Sequence, residues 1–302
     1  MTGSVTRTAP GTGGSSGLPP DPQRSSPRKR LIYTAAAFVA AVAVVWSILD
    51  LTLLSGPDAH GASVEKFEID SEAVPGTHPV SVVVPDGEGE GRPLLVFLHG
   101  RSGDSGTYTD DEPFFEALDD QGERAPVVAF PDGGESSYWH DRDDGDWDAY
   151  LMEEVIPEVA ERFGTSSKVA VGGISMGGFG ALNLAMHHRG EFCATGGHSP
   201  ALFISGGESA PGAFDDAEDF ADNDVIQAAE SDPGAFEGLP VWLDAGKSDP
   251  FVPGVAALTS ALESAGSDLK ARSDWRGGHD EGYWNEHWAD YLGFYAKALA
   301  RC

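Results

Sequence analysis

Three side chains in the order serine, aspartate, histidine stand at turns of this chain where they could cooperate: Ser175, Asp249 and His279. A serine hydroxyl is a poor nucleophile at neutral pH, so it needs a base to take its proton and a carboxylate to orient that base. Ser175 lies in Gly173-Ile174-Ser175-Met176-Gly177, between an alternating β-branched run (Val169, Val171) and a small-residue stretch with helical spacing. Strand, sharp turn and helix in that order leave the serine Oγ exposed at the top of a sheet, and the turn is so tight that neighbours of the serine must lack side chains. A helix starting at the serine turns its unpaired N–H groups and positive dipole end toward any anion formed there. Asp249 sits in Asp244-Ala245-Gly246-Lys247-Ser248-Asp249-Pro250, a turn after an apolar run, and His279 in the glycine-bounded turn Gly277-Gly278-His279-Asp280. Chain order Ser, Asp, His is the order that G-x-S-x-G hydrolases use. Asp244 is the rival acid, but it lies within the strand pattern rather than in the turn after it.

Such chemistry also needs donors aimed at the developing oxyanion. The N–H of Met176, the residue after the serine, is one candidate, and the second is the N–H of Arg101 in the loop His99-Gly100-Arg101 that follows the apolar run Pro93 to Leu98. His99 itself then pins the loop. The acidic run Asp141 to Asp148 invites a calcium reading, but Gly145 arrives one place early for the calcium-loop pattern, and a solvated acidic loop leading into a helix is the expectation. His140, His187, His188 and His198 form no ligand set, so neither a metal nor a cofactor is expected.

The elements that must hold these residues follow from the apolar pattern. Strands are expected at 64–74, 77–85, 93–98, 125–130, at the run from Lys168, and at 192–196, 239–243 and 268–275, with helices at 146–163, directly after Ser175, at 254–265 and at 283–300. Strands alternating with helices mean a mostly parallel sheet covered on both faces, with sites at the carboxyl ends of its strands. Residues 201–238 are irregular and acidic, dotted with Phe203, Phe214, Phe220 and Phe236; a pocket wall or a solvated loop fits equally.

Ahead of this catalytic stretch, assigned to 64–302, the chain changes character. Residues 1–30 are rich in Gly, Pro and Ser and end in Arg24, Arg28, Lys29 and Arg30, as a disordered basic segment would. The run 31–54 is apolar enough for a membrane-crossing helix, and 55–63 reads as a linker. The basic cluster before the span keeps the N-terminus cytoplasmic and places the rest outside, as an uncleaved signal anchor in preference to a cleaved signal. A formal charge of -30 excludes nucleic acid as a partner. With two cysteines, Cys193 in an apolar run and Cys302 at the end, the expectation is two unpaired thiols rather than a bridge.

From about Pro93 onward the chain resembles the α/β-hydrolase superfamily, and within it the esterase group that includes esterase D (S-formylglutathione hydrolase) and the antigen 85 mycolyltransferases. The resemblance is carried by LLVFLHGRSG, PDGGESSYW, GGISMGGFGALNLA, DAGKSDPF and GGHDEGYWNEHW. It implies an α/β-hydrolase fold, with Ser175 as nucleophile, Asp249 as acid, His279 as base and Arg101 and Met176 as oxyanion donors. His99-Gly100 and Asp249 depart from the mycolyltransferase pattern, which has Asp-Gly and a glutamate there. Hydrolysis of a small-molecule or lipid ester is therefore the expectation, with acyl transfer to a sugar hydroxyl second and a silent binding module on the same fold third.

Overall fold

The computed structural model describes residues 58–302. The expected basic segment 1–30 and transmembrane helix 31–54 lie outside them, as do the first residues of the linker 55–63. Among the described residues no helix is long and apolar enough to cross a membrane.

Eight strands form one sheet. Two extended segments open it as a hairpin, β1 (Ser63–Ser71) and the valine-rich β2 (Gly76–Val84), and β3 (Leu94–Leu98) and β4 (Val127–Pro131) follow. A small separate hairpin pairs β5 (Asp141–Arg142) with β6 (Gly145–Asp146). The sheet continues with β7 (Val169–Ile174), β8 (Thr195–His198), β9 (Val241–Asp244) and β10 (Leu269–Arg272). The spatial order is β1-β2-β4-β3-β7-β8-β9-β10, antiparallel at β1 and β2 and parallel from β4 onward. This is the α/β-hydrolase arrangement expected from the motifs.

The period of two along β3 builds both cores at once: Leu94, Val96 and Leu98 enter one apolar cluster, Leu95 and Phe97 the other. The first face is covered by α2, a continuous helix of Trp147–Ala149, a π turn at Tyr150–Val155 and Ile156–Phe163, and by α3 (Met176–His187) and α6 (Val252–Ala265). The opposite face is covered by α1 (Glu112–Asp119) and α7 (Glu281–Arg301). Helix α7 is started by Asp280, whose carboxylate accepts the Tyr283 N–H at 3.2 Å, and it buries Tyr291, Leu292, Tyr295, Ala298 and Leu299, a stripe at helical spacing.

The structure corrects the cysteine expectation. Cys193 and Cys302 are disulfide-bonded, with Cα atoms 5.6 Å apart. The buried stripe of α7 runs the helix along the sheet to the amino end of β8, which returns the C-terminal cysteine to Cys193 instead of leaving it frayed. Residues 201–238 are neither strand nor open loop. They contain two short helices, α4 (Ala217–Asp222) and α5 (Val225–Ser231), each begun by an aspartate that accepts N–H groups of the first turn.

Candidate active site

The turn between β7 and α3 has a mechanical cause. A Cβ on Gly177 would collide with the Leu98 carbonyl oxygen, and one on Gly173 would stand 2.5 Å from the Gly177 carbonyl group. Only glycine lets the strand fold back so sharply onto β3. Ser175 between them has φ 57° and ψ -114°, a strained conformation that costs on the order of 1–3 kcal/mol. Its N–H donates to the His198 carbonyl at 3.0 Å, and its carbonyl accepts the N–H groups of Phe179 and Ala201. The strain is thus held from three sides, and the side chain stands at the carboxyl edge of the sheet.

Three sequence-expected residues meet there. The Ser175 hydroxyl lies 2.8 Å from His279 Nε2, and His279 Nδ1 lies 3.0 Å from Asp249 Oδ2. A carboxylate accepts only, so Nδ1 carries the proton and donates to Asp249, which leaves Nε2 free to accept from the serine. Asp249 is held by the Phe251 N–H, which donates to Oδ1 at 2.8 Å, and its carboxylate is shielded from solvent while the imidazole keeps 24% exposure. The turns carrying acid and histidine are stitched together: Lys247 N–H donates to the Trp275 carbonyl and Ser248 N–H to the Gly277 carbonyl. Asp244 is not part of this set; it is fully buried at the end of β9.

The loop after β3 runs beside the serine, with Gly100 so close that a Cβ on it would lie 3.3 Å from Ser175 Cβ. His99 fixes this loop. Its Nδ1–H donates to the Gly100 carbonyl at 2.8 Å, and its Nε2 accepts the Gly133 N–H at 2.9 Å. Burial lowers its pKa and keeps the accepting nitrogen unprotonated. Among the described residues the Arg101 N–H has no protein acceptor, and Met176 opens α3, where an N–H has no partner within the helix.

A cavity of about 650 Å³ opens over Ser175 and His279. Part of its wall is apolar: Tyr138, Ala210 and Phe251. Phe203 joins Phe251 to Tyr138, with ring centroids 5.7 and 6.2 Å away, so residues on both sides of Ala210 build one aromatic wall. The 201–238 segment is docked onto the β5–β6 hairpin by the Arg142–Asp215 pair and onto the residue just before it by the His140–Asp219 pair. Hydrogen bonds from Arg142 hold Asp215 below the usual carboxylate range, and burial lowers the His140 pKa against the pull of Asp219. Residues Asp141 to Asp146 of the acidic run thereby form a structural hairpin beside the pocket wall, and Trp147 and Asp148 open α2.

The remaining wall is largely polar: Arg101, Thr107, Asp110, Asp111, Glu281 and Asn285, with Tyr108 and Trp284; apart from Arg101 none of these carries a role read from sequence, although Glu281, Trp284 and Asn285 lie in the motif GGHDEGYWNEHW. Asp111 accepts the Trp288 N–H at 2.9 Å. Burial raises its pKa, and neighbouring Glu281 raises it further. Trp284 stands edge-on to the His279 ring, with centroids 5.2 Å apart. Only the helical period of α7, which puts Glu281 and Asn285 on one face, read together with an unforeseen α1, would have brought these residues to one place.

A family model described as "Putative esterase" matches residues 71–295. An esterase of Mycobacterium tuberculosis is 27% identical over 144 residues, 44% of this chain, and the match spans 31% of that protein's own length. Among solved structures, a ferulic acid esterase superposes with a TM-score of 0.70 at 18% identity, over 78% of this chain and 99% of its own. An S-formylglutathione hydrolase from Agrobacterium tumefaciens gives 0.68 at 20% identity, over 82% and 99%. At these identities the two structures speak to the fold.

Proposed function

We propose that this chain, which belongs to the putative esterase family, is a carboxylic ester hydrolase in which Ser175, His279 and Asp249 carry the reaction through an acyl-enzyme. The observation behind this is the unbroken line of hydrogen bonds from Ser175 Oγ through His279 to Asp249 at 2.8 and 3.0 Å, on a strained turn facing a cavity. His279 Nε2 takes the hydroxyl proton as Oγ bonds to the ester carbonyl carbon. The carbonyl oxygen becomes an oxyanion that accepts from the N–H groups of Met176 and Arg101. Collapse breaks the bond to the alcohol oxygen, and the imidazolium returns its proton to that leaving group. Water then repeats the sequence: His279 deprotonates it, the acyl carbon is attacked, and Ser175 is released with the free acid. Asp249 keeps the imidazole in the required tautomer throughout.

The two parts of the cavity wall fit the two ends of an ester. Tyr138, Ala210 and Phe251 suit the acyl group, while Asp110, Asp111, Glu281 and Asn285 suit a polar alcohol. That polar wall also favours a second reading, in which a sugar hydroxyl in place of water accepts the acyl group. Product analysis of a short acyl ester with and without trehalose separates the two.

We further propose that the domain works outside the cytoplasm, tethered by the apolar run 31–54. The basic residues before that run and the Cys193–Cys302 disulfide both favour this placement, because disulfides persist in oxidising compartments.

A fluorophosphonate probe tests the nucleophile. Wild type is expected to be labelled stoichiometrically and Ser175→Ala not at all; equal labelling of both, or none of wild type, would contradict the assignment.

A further inference from the structure

Asp244, at the carboxyl end of β9, is fully buried and collects four donors. His198 Nδ1–H and Trp242 Nε1–H donate to Oδ1 at 2.8 and 2.7 Å, and the hydroxyls of Tyr283 and Tyr291 donate to Oδ2 at 2.7 and 3.0 Å. His198 accepts a further hydroxyl, that of Tyr295, on Nε2 at 2.9 Å, and stacks on Tyr291 with centroids 3.6 Å apart. Burial, reinforced by the carboxylate, pushes the pKa values of Tyr283 and Tyr291 upward, so both remain donors. Removing a carboxylate from water is costly, and an apolar core residue would avoid that cost. The position of the hub explains its use.

Of the four donors, Tyr283 reaches the proposed site. Its ring packs on Gly277, where a Cβ would fall 2.5 Å from Cδ2 and where φ is +138°. The Gly277 carbonyl also accepts the Ser248 N–H at 2.9 Å from the turn that bears Asp249. His279 follows two residues later. A second strand of the same support runs through Ser199, whose N–H donates to the Asp244 carbonyl at 2.8 Å and whose Oγ accepts Trp284 Nε1–H at 3.1 Å, behind the His279 ring. Tyr291 grips the same carboxylate oxygen from two turns along α7, but its ring lies among His198, Trp242 and Trp288.

We infer that Asp244 is a positioning residue for the proposed general base: through Tyr283 it fixes the turn from Gly277 to His279, and so sets the imidazole between Ser175 and Asp249. This role rests on the triad proposed above. It assigns to the rival acid of the sequence a task in the same reaction without contact with substrate.

Tyr283→Phe and Tyr291→Phe provide the test, since each removes one hydroxyl from Asp244 Oδ2 and keeps its ring, while only the first loosens the histidine turn. Fluorophosphonate labelling of wild type is read first; if it fails, the hydrolase assignment falls and the positioning role with it. Given labelling, kcat of Tyr283→Phe is expected to drop about tenfold at unchanged KM, as a displaced catalytic group would cause, and Tyr291→Phe to stay within about twofold. The low-field proton signal of His279 Nδ1–H is expected to broaden in Tyr283→Phe alone. Equal losses in both variants, no loss in either, or a Tyr283→Phe chain that fails to fold where Tyr291→Phe folds would make the hub purely structural and overturn the inference.

Discussion

At Ser175 two requirements conflict, and the flanking residues resolve them. The backbone must adopt a left-handed conformation that a serine resists, yet the hydroxyl must point into a cavity within reach of Nε2. Hydrogen bonds to His198, Phe179 and Ala201 hold the strain, and glycines at 173 and 177 make the room. The polar wall carries its own consequence. With the three carboxyl groups of Asp110, Asp111 and Glu281 lining one cavity against, among the described residues, a single cation, Arg101, a cationic alcohol is favoured over a neutral one of the same shape. Acetylcholine is therefore expected to show a several-fold higher kcat/KM than 3,3-dimethylbutyl acetate, which replaces the charged nitrogen by carbon. Glu281→Gln narrows the gap; equal values for the two esters in wild type would remove the electrostatic role. The serine elbow was legible in sequence because its strand, turn and helix are contiguous. Asp249 and His279 were legible because each lies in a turn after a strand. The acidic wall was not, since Asp110 and Glu281 are separated by most of the sheet and meet only through the packing of α1 on α7.

The elements repeat this contrast between local and long-range information. The runs 93–98 and 239–243 were readable as buried strands because both faces are apolar, and their observed ends differ by one or two residues. Helix α1 escaped because it is short and begins after a turn-rich stretch, although Phe114, Phe115 and Leu118 make it part of the core. The pairing of Cys193 with Cys302 depends on where α7 ends in space, which no local pattern records. Closing a loop over a sequence separation of 109 residues stabilises by about 4–5 kcal/mol in the chain-entropy treatment. Reduction, or Cys302→Ser, is expected to lower the midpoint of denaturant unfolding by a corresponding amount. Esterase activity at 25 °C should be retained, because the bond lies at the amino end of β8 and Ser175 at the carboxyl end of β7. An unchanged midpoint would mean that the unfolded chain gains nothing from release of the crosslink.

For the whole molecule, a charge of -30 is compatible with small ester substrates and sets the protein against polyanions. The placement proposed for the domain unites three features: the basic cluster ahead of 31–54, the apolar run itself and the disulfide in the folded domain. Its expected signature is that externally added protease removes the domain from intact cells bearing the full chain. Protection until lysis would refute the placement, and it would leave the chemistry of the site untouched. A mostly parallel sheet with a core on each face followed from alternation of strands and helices, whereas the strand order, which depends on long-range pairing, did not, and the 201–238 segment became a pocket wall only through contacts with the β5–β6 hairpin, such as Arg142–Asp215.

Acid quenching of a reaction with p-nitrophenyl acetate, followed by mass mapping of the digested protein, interrogates the acyl-enzyme itself. The expected result is an acetyl group on the peptide containing Ser175, appearing within the burst of p-nitrophenol and absent from Ser175→Ala. Turnover of the ester with no adduct, or with the adduct on another residue, would contradict the assignment of Ser175 as the nucleophile.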